Sequence, residues 1–70
     1  MKYVGLTDNP ERRKNEHGNP EDWNVEREFQ DEVDARQWEK RMLDAGYQGG
    51  TGGDGWHYGY TYTITATTRE

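Results

Sequence analysis

Pro10 to His17 reads as a helix with no apolar side chain after its proline, and this constrains the fold more than any other feature of the chain. A helix of two turns is marginal in water and normally docks through an apolar stripe. Lacking a stripe, this one must be held by its ends and by what lies beside it. Asn9 can cap its free backbone N–H groups, Pro10 suits the first helical position, and Glu11 sits near the positive end of the helix dipole. Gly18 is a natural stop. Before it, Lys2 to Leu6 reads as a short strand and Thr7-Asp8-Asn9-Pro10 as a turn. Arg13 and His17, four apart, share one face of the helix. Either that face looks into a site, or the cap, the Arg and Lys stems and the strand simply pin the helix in place.

The polar loop His17 to Asp22 leads to a stretch that alternates. Trp23, Val25, Arg27 and Phe29 share one parity, which predicts a half-buried strand over 23–29. Arg27 fits that face if its alkyl stem lies along apolar neighbours and its head reaches water; a phosphate contact is the alternative. Asp31 is placed to cap a helix over 32–45, with Ala35, Trp38, Met42 and Ala45 as its apolar stripe and Leu43 beside it. Glu39 projects from the flank of that stripe, and Gly46 ends the helix. Gln48 to Gly55 is a glycine-rich loop without the Gly-Lys-Ser/Thr ending of a phosphate-binding loop, so it reads as a linker, or as a flap over a site. Over 56–66 the chain is rich in Tyr and Thr, and Tyr58, Tyr60, Tyr62 and Ile64 share a parity, which predicts a strand. The last residues, from Thr67 to Glu70, should fray.

The expected fold is therefore a small α/β (α+β) domain, residues 1–70 as one unit. A three-stranded, mainly antiparallel sheet carries two helices in the order strand 2–6, helix 10–17, strand 23–29, helix 32–45, strand 56–66. Apolar residues are only 29% of the chain, against three Trp, five Tyr and one Phe, so the core must lean on aromatic rings. The absence of cysteine excludes disulfide staples and thiolate metal sites. No apolar run approaches the ~20 residues of a membrane span, and the expectation is a small acidic cytoplasmic protein with no membrane partner. A formal charge of −5 disfavours a global attraction for nucleic acid, although basic residues cluster at 12–17 and 36–41.

With these elements placed, the first segment resembles the GIY-YIG nuclease family. Tyr3-Val4-Gly5 is similar to the second tripeptide of that family. Thr7, Asn9-Pro10, Arg12-Arg13 and His17 follow at the family's spacing without gaps. Trp23–Phe29 resembles the family's third strand, and the helix with Ala35 and Glu39 resembles the one that carries its metal-binding glutamate. The likeness covers about residues 2–46. The family's first strand, bearing Gly-Ile-Tyr, would lie upstream of Tyr3. The expectation is that the C-terminal strand pairs with Tyr3–Leu6 in its place, as in a permuted arrangement, with Tyr60 or Tyr62 standing in for the absent tyrosine.

The resemblance implies a metal-dependent endonuclease that hydrolyses phosphodiester bonds of DNA. It makes Tyr3, Arg13 and His17 catalytic, puts Arg12, Gly5 and Lys14 against the substrate, and gives one Mg²⁺ (or Mn²⁺) to Glu39. The chemistry suits these residue types. Arginine offers a planar fork to phosphate, histidine titrates near neutrality, and Mg²⁺ takes carboxylate oxygen while keeping most of its waters. Each residue also has a plain structural account: Tyr3 as a packing ring, Arg13 and His17 as a solvated face, Glu39 as a partner of Arg36 or Arg13, His57 as a structural residue. The alternative function is a non-catalytic module of the same fold that binds nucleic acid or a protein, and a bare assembly subunit is a third reading. A monomer and a homodimer are both compatible with so small a chain.

Overall fold

The computed structural model describes residues 1–49 and 55–66. Its elements are β1 (Lys2–Thr7), α1 (Pro10–Glu16), β2 (Asn24–Glu28), α2 (Glu32–Asp44) and β3 (Tyr58–Thr63). The strands form one antiparallel sheet in the order β1-β3-β2, so the last strand is the central one. The α+β class, the three strands and the two helices are as the sequence predicts, and the C-terminal strand pairs with β1 as expected. Of the expected loop from Gln48 to Gly55, residues 50–54 lie outside the described residues, as does the expected fraying of 67–70. No helix among the described residues is long and apolar enough to cross a membrane.

Local chemistry explains the helix boundaries. The Asn9 side chain accepts from the Arg12 N–H at 3.1 Å, and Pro10 occupies the first turn of α1. His17 is the C-cap rather than a helical residue, and Gly18 and Asn19 turn the chain away at positive φ. Asp31 caps α2 through the Val33 N–H at 2.8 Å, and Gly46 at φ +106° ends it.

β1 is buried from Tyr3 to Thr7. Successive side chains on a strand point to opposite faces. Tyr3, Tyr60 and Tyr62 make one cluster, with half-buried Trp23 and Ile64 against them. Leu6, Phe29 and Ala35 make the other, with Trp38 and Trp56. The second cluster is where α2 packs: any side chain at Gly59 would run into the Trp38 ring, so a glycine is required there.

Two expectations are corrected. The strand expected over 23–29 is not half-buried on one parity; every residue of β2 is exposed, Val25 included at 42%. A bulge between Val25 and Arg27 sets them against Tyr60 and Gly59, consecutive residues of β3, and so breaks the alternation. Trp23 and Phe29, of like parity in the sequence, consequently join different clusters. Ala45, expected in the α2 stripe, is an exposed cap; Ala35 is buried, and Trp38 and Met42 are half-buried.

Both ends of β3 are tied by carboxylates. Asp8 Oδ1 accepts from the backbone N–H groups of Trp56 (3.0 Å) and His57 (3.2 Å) and from His57 Nδ1. Asp22 accepts from the backbone N–H of Thr63 at 2.9 and 3.0 Å and from its hydroxyl. The His57 hydrogen bond, then the two backbone bonds, pull Asp8 down to about 2 from an ordinary value of 3.8. Asp22 is lowered too, chiefly by Thr63. A carboxyl depressed on folding contributes stability that is present above its unfolded pKa and lost as pH falls through the folded one. Asp8→Ala should therefore lower the melting temperature at pH 5 to 7. The gap to wild type should shrink from pH 4 downward and be largely gone at pH 2, as followed by circular dichroism.

Candidate functional site

The tyrosine cluster gathers residues from four parts of the chain. In the β1–β3 register Tyr3 lies opposite Tyr62 and Gly5 opposite Tyr60. A Cβ at Gly5 would overlap the Tyr60 ring and hydroxyl, so the Tyr-Val-Gly tripeptide has a packing reason: its glycine leaves the space that Tyr60 fills. Gly5, expected against the substrate, lies beneath Tyr60 instead.

His17 reaches this cluster from the end of α1 and is 2% exposed. Its Nε2 hydrogen-bonds with Tyr60 Oη at 2.8 Å and its Nδ1 with Tyr62 Oη at 2.9 Å. A neutral imidazole has one N–H and one acceptor nitrogen, so one tyrosine donates to His17 and the other accepts from it. The His17 ring also packs on Tyr3, 5.1 Å between centroids. Trp23 stacks on Tyr60 at 4.2 Å and 23° and closes the cluster from the side of β2. Tyr60 and Tyr62 are 1% and 0% exposed. Burial pushes Tyr60 up to about 12 against the opposing pull of Arg13, so it stays a neutral phenol at physiological pH.

Arg13, one turn before His17, is half-buried above Tyr60. Its Nη1 donates to Glu16 at 2.9 Å, while its Nε is buried and has no acceptor among the described residues. Burial works against its charge, but Glu16 and Tyr60 outweigh it and raise the guanidinium further. Arg12 is exposed and Lys14 half-buried, and α1 thereby offers a cationic edge. Arg12 and Arg13 line one open cleft of about 400 Å³, whose wall includes Asp8.

The structure thus brings Tyr3, Arg13 and His17 together, and adds both Tyr60 and Tyr62. It does not bring Glu39 to them. Glu39 lies on α2, one turn from the Ala35 that packs against Leu6 in the other cluster. Its nearest cation is Arg36, with Nη1 at 3.8 Å, and burial raises its pKa while Arg36 lowers it. No three His, Cys, Asp or Glu side chains among the described residues converge as a metal site. Glu39 is thus a partly buried carboxylate beside Arg36, made easier to protonate by burial.

Two parts of this region escaped the sequence reading. Trp23 precedes the bulge in β2 and shares the face of Val25, which is paired with Tyr60, while the bulge carries Phe29 to the other face, so alternation alone does not show that Trp23 meets Tyr60 without Phe29. The Asp8–His57 pair joins residues 49 apart, and nothing in the local pattern of either marks it. For Tyr60 and Tyr62 the signal was present in the shared parity of the last strand. Comparison with protein-family models, curated proteins and solved structures gives no match to this chain.

The hydrogen-bonded triad should be coupled energetically. Tyr60→Phe and Tyr62→Phe each remove one buried hydrogen bond of His17, for a loss of about 1–3 kcal/mol. His17→Phe removes both bonds and should cost more than either. In urea unfolding the His17→Phe/Tyr60→Phe double variant should lose less than the sum of its two singles, because the same bond is removed twice.

Proposed function

We propose that this chain is a GIY-YIG-like endonuclease domain in permuted order, acting on phosphodiester bonds of DNA. The observation that carries the reading is the meeting of Tyr3 with Tyr62 across the β1–β3 pair, both rings against His17, with Arg13 against the neighbouring Tyr60. In this reading Tyr62 of the C-terminal strand plays the part of the tyrosine on the family's first strand, beside Tyr3.

In this reading Arg13 holds the phosphate. Its planar fork matches two phosphate oxygens. Arg12 and Lys14 add charge along the backbone of the nucleic acid. Tyr3 and His17 stand behind the phosphate as the packed cluster that holds Tyr60 and Tyr62 in place. Mg²⁺ or Mn²⁺ would supply charge neutralisation at the phosphoryl oxygens.

One observation favours the second reading, a non-catalytic module that binds nucleic acid through the same cationic edge. His17, Tyr60 and Tyr62 are closed to solvent, and a phenol held near 12 is a poor base. Plasmid nicking separates the two. As a nuclease, the wild type should nick supercoiled DNA, and Arg13→Ala should slow it by about 10²–10³, the cost of losing one donor to developing charge. As a binding module, the wild type should nick nothing yet retain DNA with a salt-sensitive affinity that Arg13→Ala weakens. The metal is tested on its own: amide shifts centred on Glu39 during a Mg²⁺ titration support it, and silence at millimolar Mg²⁺ removes it.

A further inference from the structure

His17 has both ring nitrogens engaged by buried hydroxyls, so it has no free position from which to take a proton from water. The other histidine is arranged differently. The His57 side chain is half exposed, and its Nδ1 faces Asp8 Oδ1. A carboxylate accepts, so the neutral ring carries its proton on Nδ1 and presents Nε2 as an acceptor. The mount is rigid. The backbone N–H of His57 is tied to Asp8, its carbonyl accepts from the Phe29 N–H at 2.7 Å, and its ring lies on Trp56 at 3.9 Å and 18°.

His57 and Asp8 line an open cleft of about 580 Å³, with Glu28 and Tyr58 as the other titratable groups in its wall. Asp8 is also a wall of the cleft that holds Arg12 and Arg13. One carboxylate therefore stands between an arginine side and a histidine side. Glu28 adds a second carboxylate on the histidine side, whereas the other side carries Arg12 and Arg13.

We propose that His57, positioned by Asp8, accepts the proton of the attacking water in the hydrolysis reaction; the proposal rests on the nuclease reading above. Water gives a proton to Nε2 as its oxygen bonds to phosphorus. The bond from phosphorus to the leaving sugar oxygen breaks, that oxygen takes a proton from bulk water, and the imidazolium returns its proton to solvent. Asp8 is a positioning residue: it sets the tautomer and the ring plane. An exposed imidazole held by a carboxylate is the usual form of such a proton acceptor.

Two measurements test this. In ¹⁵N-labelled protein at neutral pH, His57 should be in the Nδ1–H tautomer, and Asp8→Ala should move it toward the Nε2–H form common in free imidazoles. An Nε2–H tautomer in the wild type overturns the proposal. In plasmid nicking, His57→Gln, checked for a native-like amide spectrum, should be slower by about 100-fold or more, the range expected for loss of a general base. It should also lose the fall in rate on the acid side of the wild-type pH profile. Asp8→Ala should be slowed with it. Wild-type nicking that His57→Gln leaves unchanged overturns the proposal alone. A wild type that nicks nothing overturns the nuclease reading, and the proposal with it.

Discussion

The insertion of β3 between β1 and β2 is the interaction on which the other features depend, because neither earlier strand pairs with the other. Closing so long a loop has an entropic cost that grows slowly with length, and the contacts at its end must exceed it. The chain has few aliphatic residues with which to do so. It uses three tyrosines instead, each ring burying on the order of 150–250 Å², and fixes the strand at both ends through Asp8 and Asp22. Those two carboxylates sit in the turn before α1 and the loop before β2, so the segments flanking the first helix are what receive the last strand.

A core made of tyrosine brings hydroxyl groups inside, and each needs a partner. His17 serves two of them at once. The same bonds anchor α1, which has no apolar stripe of its own: its last turn is fastened into the sheet through His17 and its first is capped by Asn9. Folding and site formation are therefore one event here. Arg13 stands above Tyr60 because the residue four further on is fixed beneath it.

Much of this was legible from local pattern. Asn9-Pro10, Asp31, Gly18 and Gly46 mark the helix ends because capping is a property of a few neighbouring residues. The parity of Tyr58, Tyr60 and Tyr62 put the aromatic face on β3, and the orphan edge of Lys2–Leu6 pointed to its partner. The residues that did not announce themselves depend on register or on distant pairing. A single extra residue in β2 sent Trp23 and Phe29 to opposite faces, and alternation alone carries no sign of a bulge. Glu39 lies on the flank of the α2 stripe as its spacing indicates. What spacing does not say is which face of the sheet that stripe covers.

The two histidines show why burial has to be weighed beside motif. His17 sits where the resemblance places a reactive group, yet its surroundings spend both nitrogens on holding the fold together. His57 sits at the mouth of a glycine-rich stretch, where sequence offers only a structural role, yet its surroundings leave one nitrogen open to water. A ring that bonds two buried phenols gains nothing in reactivity from being well placed. A ring that bonds one exposed carboxylate is held still without being used up. The distinction follows from counting donors and acceptors around each imidazole, and it shifts the chemically available part of this domain from beneath α1 to the turn at its start.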